Sequence, residues 1–396
     1  MKDYTAKLLG LEDVIIKDVE NGKHEIHVHI ELPRKIHECP RCKALTDKIH
    51  DYRLQKVKDM PAFGKVVILH LRKRRYVCPK CGKRFREQNF FLPRYYRSTQ
   101  RKIVEIIHAF RETVSATHIA KEHHVSVSTV LRYFDLVDYR SYKLPKVLSL
   151  DEFKGNAGNE KFQTIVTDAE HHIILDILPN RKAADLINYF NKFQREDRLK
   201  VQYVVIDMSS LFYHVAETCF PNAKVITDRY HVSRQANWAM ENVRKRIQKS
   251  LSDDWRRYCK RSKYLLNKAP DKLTMDEKEK LRIILGISTD LEIAYDLKND
   301  FHALMHSSNS VEGRKLLANW LFHAENCRLD EFKACTKAVC NWSEEILNSM
   351  DYSFTNGFTE GCNNKTKVLK RVSYGVRKFS RFRNRILLCA APAKKY

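Results

Sequence analysis

Three carboxylates, Asp151, Asp207 and Glu360, have the setting that metal-assisted chemistry requires. Asp151 closes the apolar run Val147-Leu148-Ser149-Leu150, and Asp207 closes Tyr203-Val204-Val205-Ile206. Glu360 lies far downstream, the sole acid in Thr355-Asn356-Gly357-Phe358-Thr359-Glu360-Gly361-Cys362-Asn363-Asn364-Lys365. Two aspartates at strand ends and a distant glutamate can hold two divalent cations about 3.5–4 Å apart. Such a pair activates the attacking oxygen and stabilises the departing one at a phosphodiester. Mg²⁺ suits this oxygen donor set, with Mn²⁺ as an alternative. A lone Asp at a strand end is ordinarily a turn residue, and a Glu in a first helical turn is favoured by the helix dipole. Two aspartates, each closing an apolar strand, are harder to dismiss that way. Asp228 ends a further strand, with His231 just beyond it. Asp228 is either a neighbour of the metal site, a rival second acid, or structure opening the next helix. His231 either helps position a phosphate or water, or is structural. Strand alternation points Glu152 away from Asp151.

The elements that must position these acids are legible. After Val147–Asp151 come Phe162–Thr167 and His171–Leu178, a hairpin around Asp168-Ala169-Glu170. A helix follows over Lys182–Phe193, then the strand Tyr203–Asp207, a short helix over Leu211–Cys219 and the strand Ala223–Asp228. The order β-β-β-α-β-α-β suits an α/β, RNase H-like mixed sheet with its first and fourth strands adjacent, which brings Asp151 and Asp207 together. From Ser233 to Met350 strand signals vanish and a helical insertion is expected. Its Trp238, Trp255, Trp320 and Trp342 read first as core aromatics, with stacking on an unpaired base as the other use. Asn364 and Lys367 follow Glu360 by one and two helical turns on the same face, so phosphate contacts would extend from the metal end.

A second constellation is Cys39-Pro40-Arg41-Cys42 and Cys78-Pro79-Lys80-Cys81, the latter followed by Gly82. Two tight turns offering two thiolates each make the tetrahedral sulfur site that zinc prefers, and four cysteines close it against catalysis. One structural Zn²⁺ is expected there, contributing roughly 10–16 kcal/mol, much of it folding energy. A redox CxxC would need only one pair. The strand Val66–Leu71 leads into Arg72-Lys73-Arg74-Arg75, where Arg72, Arg74 and Arg75 would grip phosphate. The other seven cysteines show no framework, which points to a reducing compartment.

Beyond this module, Ile103, Ile106, Ile107 and Phe110 share one helical face. Thr117–Phe134 then reads as two short helices around a turn at His124-Val125-Ser126. Ala120 would sit where they cross, and Val125, Val130 and Leu131 would close the core. Ser126 would cap the second helix, with Val127, Ser128, Thr129 and Arg132 facing DNA in a helix-turn-helix. His is tolerated at the positive φ this turn needs. A plain three-helix bundle is the alternative; the flanking Arg94, Arg97, Arg101 and Lys102 favour DNA.

The charge balance agrees. Lys and Arg number 73 against 48 Asp and Glu, a net +25 over 396 residues, which predicts a polyanionic partner. Lys65–Arg86 carries nine basic residues and Gly361–Tyr396 eleven, with no acid in either. Tyr76, Phe85, Tyr374, Phe379 and Phe382 interleave them, as on a folded basic face. The N-terminus has no secretory h-region and no apolar run approaches a membrane span, so a cytoplasmic protein is expected. The expected domains are residues 1–92 (zinc module), 93–145 (helix-turn-helix), 146–232 (first catalytic part), 233–350 (helical insertion) and 351–396 (second catalytic part with the Glu-bearing helix and basic tail).

Taken in order, the two CPxC knuckles, the turn His124-Val125-Ser126-Val127-Ser128-Thr129-Val130, Ser149-Leu150-Asp151-Glu152-Phe153, Val205-Ile206-Asp207-Met208-Ser209 and Thr227-Asp228-Arg229-Tyr230-His231-Val232 resemble the ISL-three family of bacterial insertion-sequence transposases. The C-terminal string from Thr355 through Glu360, Asn363, Asn364, Lys367, Lys370, Arg371, Tyr374, Gly375 and Arg377 completes the resemblance. It implies that Asp151, Asp207 and Glu360 are a DDE triad binding two Mg²⁺, with Asn364, Lys367, Lys370 and Arg371 on DNA. It further implies binding to the element's terminal inverted repeats, Mg²⁺-dependent cleavage, transfer of 3′-hydroxyls to target DNA, a homodimer on double-stranded DNA, and a place at the bacterial nucleoid. Two other classes stay open. A catalytically silent regulator derived from a transposase would keep the finger and turn but usually lose an acid. A nuclease of the same fold would cut branched DNA without strand transfer.

Overall fold

The computed structural model describes residues 7, 9–11, 14–139, 143–374 and 377–391; Gly375 of the C-terminal motif and the last five residues of the basic tail lie outside these. The chain divides into two compact units, Met1–Tyr139 with Leu369–Val376, and Arg140–Val368 with Arg377–Tyr396.

In the first unit, apolar alternation at Ile26, Val28 and Ile30 makes β2 (Glu25–Glu31) a strand with one buried face. It pairs antiparallel with β1 (Ile15–Asn21) and parallel with the long β6 (Val66–Val77), which pairs antiparallel with β5 (Ile49–Lys58). The two-residue strands β3 (His37–Glu38) and β4 (Leu45–Thr46) flank the first knuckle, and β7 (Arg84–Arg86) pairs with the end of β6 beside the second. Val28, Val57, Leu69 and Leu71 are fully buried beneath the sheet with Phe91 and Leu92.

The basic run on β6 divides by which residues a neighbouring acid has claimed. Arg74 is buried, contrary to its expected place on phosphate. Its Nη1 donates to the Leu32 carbonyl at 2.6 Å, and the guanidinium lies 3.4 Å from both Glu31 and Glu87. Two carboxylates already balance this cation. Arg75 is bound to Asp51 at 2.5 Å, while Arg72 lies over the Tyr52 ring at 3.9 Å and stays exposed.

Three helices follow: α1 (Gln100–His108), α2 (Ala116–Glu122) and α3 (Val127–Phe134). Their packing is fixed by Asp59, which is 1% exposed and accepts from Thr99 Oγ1 at 2.6 Å and Arg101 Nε at 2.8 Å. Lys102, buried on α1, donates its Nζ to the Asp59 carbonyl at 2.9 Å; burial pushes its ammonium down to about 8. Arg101 and Lys102, expected to favour DNA, instead join the helices to the sheet. His124 takes φ 51° between α2 and α3, and Ser126 caps α3 by accepting from the Thr129 amide at 3.2 Å. Val130, Tyr133 and Phe134 bury one face of α3, with Val125 and Leu131 half-buried.

The second unit holds a five-stranded sheet of order β10-β9-β8-β11-β12. The strands are β8 (Val147–Phe153), β9 (Gln163–Asp168), β10 (Ile173–Leu178), β11 (Tyr203–Ile206) and β12 (Lys224–Thr227). The first three are antiparallel, and β8, β11 and β12 run parallel. Helices α4 (Ala183–Phe190), α5 (Arg195–Arg198) and α6 (Ser210–Cys219) connect them, and Leu186, Phe190, Phe212 and Val215 pack on Leu148, Leu150 and Val204.

An all-helical body follows: α7 (Arg229–Lys249), α8 (Asp253–Arg261), α9 (Lys263–Asn267), α10 (Met275–Leu285), α11 (Thr289–Met305), α12 (Ser310–Asn326), α13 (Asp330–Asn341) and α14 (Ser343–Asp351). Trp320 is buried in its core and donates to the Leu297 carbonyl at 2.8 Å; Trp342 is half-buried against Tyr213. Trp238 and Trp255 are exposed, so only part of the set is core. The chain then returns as α15 (Gly357–Val372) and α16 (Phe379–Ala390). Arg383 on α16 clamps Asp176 of β10, with Nε 2.5 Å and Nη2 3.0 Å from its two oxygens, and Arg385 is buried. Both belong to the fold and not to an open basic face. No helix among the described residues is long and apolar enough to cross a membrane.

Removing the Asp59 carboxylate takes the acceptor from the buried Thr99 hydroxyl and from Arg101, and the balancing charge from buried Lys102, so Asp59→Ala should destabilise the first unit by about 1–3 kcal/mol. Hydrogen exchange across Val66–Val77 and Gln100–His108 should rise with that of the second unit unchanged; unaltered protection would refute the assignment.

Candidate active site

The register of the second unit's sheet does the first positioning. Val205 of β11 faces Ser149 of β8, and Asp151 and Asp207 each lie two residues further along. The aspartates therefore leave adjacent parallel strands on one face and at one end. Asp228 follows β12 at the same end. Its Oδ1 accepts from the amides of Tyr230 at 2.9 Å and His231 at 3.4 Å, capping α7, and its Oδ2 accepts from the Asn356 amide at 2.8 Å. With both oxygens taken by backbone, Asp228 is a cap and brace. Glu152 is turned away and held by Arg181 at 2.6 Å.

The second positioning comes from α15. Asn356 just before it, then Thr359, Asn363 and Thr366, recur at helical spacing and all are buried, so this helix docks through a polar stripe. Asn363 Nδ2 donates to Asp151 Oδ2 at 2.7 Å, and Asn356 Nδ2 donates to Asp207 Oδ1 at 3.2 Å. Ser149 Oγ donates to Asn356 Oδ1 at 2.6 Å, while Thr359 lies 3.0 Å from Ser149 and 2.8 Å from Thr167 through hydroxyls. The stripe fixes the helix's rotation and with it Glu360, whose side chain remains 42% exposed. Motif reading noted Asn356 and Asn363 only as part of a string; the uncharged polar period was the signal that they face a buried partner.

His231 joins the acids. Its Nδ1 is 3.0 Å from Asp207 Oδ1 and 3.5 Å from Asp228 Oδ1, and its Nε2 is 3.6 Å from Glu360 Oε1. The neighbouring carboxylates, Asp228 first and then Asp207, raise this imidazole above its usual value against the effect of burial. Burial, then the charge of Asp207, pushes Asp151 up to about 7. Burial likewise raises Asp207, with His231 and Asn356 opposing it. Burial would also raise Asp228, but the nearby His231 and the hydrogen bonds from the Asn356 and Tyr230 amides prevail and hold it low. Asp151, Asp207 and Glu360 have no Arg or Lys ion pair among the described residues, leaving negative charge that a hard divalent cation fits.

The four cysteines converge far more tightly. Their sulfurs all lie within 4.8 Å of one another, with Cys39–Cys81 at 3.6 Å and Cys42–Cys78 at 3.5 Å, close to the edge of a zinc–sulfur tetrahedron. No other group of three or more His, Cys, Asp or Glu does so among the described residues, so the carboxylates stand further apart than the thiols. The knuckles repeat one geometry: Lys43 and Gly82, each just after the second cysteine, take φ 62° and 69°.

Of the residues expected on DNA, Ser128 and Arg132 are exposed and Thr129 is half-buried on α3, with Ser126 engaged as its cap. Asn364, Lys367 and Arg371 are exposed along α15, and Lys370 is half-buried in its last turn.

A family model described as Transposase, the DDE type of the ISL3 group, matches residues 148–386. A second, described as the zinc-finger of transposase IS204/IS1001/IS1096/IS1165, matches residues 35–81. The chain is 24% identical over 377 residues to the transposase for insertion sequence element IS1001 of Bordetella parapertussis, covering 90% of each protein. It is 23% identical over 242 residues to the transposase for insertion sequence element IS1557 of Mycobacterium tuberculosis, covering 55% of this chain and 54% of that one. A stretch of 107 residues is 31% identical to an ATP-dependent protease of Lactococcus lactis, covering 27% of this chain and 33% of that one.

Cys78→Ser should abolish the zinc that survives exhaustive dialysis and expose the first unit to proteolysis while the second unit stays intact. Retention of that zinc in the variant would remove the cysteines as its ligands.

Proposed function

We propose that this chain, which belongs to the ISL3 family of DDE transposases, binds the terminal inverted repeats of its own insertion sequence and carries out Mg²⁺-dependent cleavage and strand transfer there. The reading is carried by one observation: the adjacent Asp151, buried, and Asp207, half-buried, with the helix bearing Glu360 docked on them through neutral amides. The sheet order and the return of a late helix suit an RNase H-like domain, and α2-turn-α3 suits a helix-turn-helix. The first unit would read the element ends through Ser128, Thr129 and Arg132, with Arg72 on phosphate.

Asp151, Asp207 and Glu360 would hold the Mg²⁺ ions, whose chemistry when bound is activation of the attacking oxygen and stabilisation of the departing 3′-oxygen. This chain's own groups do the rest. Asn363 and Asn356 hold the Asp151 and Asp207 carboxylates in place, Asp151 also accepting from the Glu152 amide at 2.7 Å, and a neutral amide does so without cancelling charge. His231 lies between Asp207 and Glu360, whose neighbourhood favours its protonated form, and would balance the acids until a metal cation takes that place. Asn364, Lys367 and Arg371 line the exposed flank of α15 and would hold the scissile strand's backbone. Pairing two element ends would need two chains on DNA.

The deciding experiment is cleavage and strand transfer on the DNA bordering this gene. Wild type with Mg²⁺ should give products; Asp151→Asn, or wild type with chelator, should give none. End-specific binding without products from wild type under any divalent metal would favour the silent regulator, and cleavage without joining would favour a nuclease. Because Asp151 must ionise to coordinate and is held up to about 7, protons compete below that pH. Apparent Mg²⁺ affinity should therefore climb with pH, by up to about tenfold per unit below neutrality, and level off above it. Asn363→Ala should weaken that affinity about 10–100-fold. Calorimetric titration across pH 5.5–8.5 checks both, and a flat profile would contradict the assignment of Asp151.

A further inference from the structure

The face of the first unit's sheet opposite its apolar core carries a cluster that the cysteine site does not use. His27 and His29 are two apart on β2, and His70 on β6 is paired in register with His29. His27 Nδ1 and His70 Nε2 are 2.9 Å apart, and the His29 ring lies on that of His70 at 4.5 Å. Carboxylates sit behind two of the rings. Glu25 is 3.3 Å from His27 Nε2, and Glu20 of β1 is 3.2 Å from His29 Nε2.

We propose that His27, His29 and His70 form a second transition-metal site, binding a borderline divalent ion such as Zn²⁺ through His27 Nδ1, His29 Nδ1 and His70 Nε2 with water in the fourth position. The chemistry of the donors carries it. A metal-binding histidine characteristically gives its other ring N–H to a carboxylate, which fixes the tautomer and orientation. Glu25 and Glu20 stand at Nε2 of His27 and His29, so the lone pairs left over are on Nδ1. His27 Nδ1 already lies near His70 Nε2, at a separation slightly under the ~3.3 Å edge of a tetrahedron with zinc–nitrogen bonds of ~2.0–2.1 Å. In the empty protein, with the His27 Nε2–H on Glu25, His70 Nε2 donates to His27 Nδ1; His70 is 8% exposed and its Nδ1 is buried with no hydrogen-bond partner, so a metal taking Nε2 shifts that proton to Nδ1. The site closes by a turn of the His29 ring off His70, which brings its Nδ1 inward. His27 and His29 are partly exposed, giving the ion a way in, and Lys56, opposite His70 on β5, is exposed and can swing clear. The bound ion would staple β2 to β6, the strand that leads into the second cysteine knuckle.

The test counts metals on the full, tag-free chain. After equilibration with excess Zn²⁺ and gel filtration, all in an Asp151→Asn background that disables the carboxylate site, the chain with wild-type histidines should carry two zinc, and His27→Gln and His29→Gln one each. Titrated with Co²⁺, the cysteine ion gives thiolate-to-metal charge transfer. The second equivalent should add ligand-field absorption without more of it and should be lost in both variants. An undiminished thiolate band in the variants shows that the sheet remains folded. Saturation of the chain with wild-type histidines at one metal, or a second equivalent persisting in both variants, overturns the proposal.

Discussion

Three carboxylates converge at one end of the parallel strands of a mixed sheet, and taking them out of water is the constraint around which the second unit is built. Asp151, Asp207 and Asp228 follow three adjacent strands, and burial opposes ionisation of each. Like charges removed from water must be given donors or become neutral. Asp228 is satisfied by the first amides of α7 and by the Asn356 amide, which stabilise a carboxylate through backbone dipoles. Asp151 and Asp207 receive their donors from α15, more than a hundred residues further along the chain. The helical body α7–α14 is thus a long excursion between two halves of one site, and its start and end are both tied at the acids.

The same accounting explains why a net charge of +25 does not translate into an equally large basic surface. Arg74, Arg101, Lys102, Arg383 and Arg385 are each engaged in the interior or at its edge. In the first unit, which has a modest apolar core, buried ion pairs and a four-thiolate site stand in for hydrophobic area. What remains exposed is narrower: Arg72 on the sheet, Arg132 on α3, and Lys367 and Arg371 on α15. Sequence counts charges but not which of them a buried acid has already claimed.

Legibility followed from how local each signal was. Asp151 and Asp207 could be found because each ends an unbroken apolar run, and strand order then placed those runs side by side. The cysteine knuckles were legible because four ligands in two short turns have few other uses. Asn356 and Asn363 were obscured because uncharged polar residues at helical spacing ordinarily mark a solvated face. Here the stripe Asn356, Thr359, Asn363, Thr366 is the buried one, while Lys365 and Lys367 take the exposed side. Asp59 was out of reach because its partners lie some forty residues away and only the tertiary fold brings them together. The tryptophans show the same limit: period alone did not separate buried Trp320 from exposed Trp238.

A contrast within the chain bears on what the acids are for. Asp176 has Arg383 across both its oxygens, Asp59 has Arg101, and Glu31 and Glu87 share Arg74. These buried acids are neutralised by permanent cations, the arrangement expected when the purpose is to hold elements together. Asp151 is buried like them and Asp207 is half-buried, yet their side-chain donors, Asn363 of α15 and Asn356 just before it, are amides, which satisfy lone pairs and leave the charge standing. The cation beside Asp207 is His231, whose charge is conditional on a proton. A fold that only needed these acids tethered would gain more from a guanidinium than from an asparagine. Holding their geometry while leaving their charge uncompensated stabilises the empty protein less, a deficit that an exchangeable cation would recover. That difference in partner, Arg at the structural acids and Asn at the paired ones, is what a metal site requires and a strut does not.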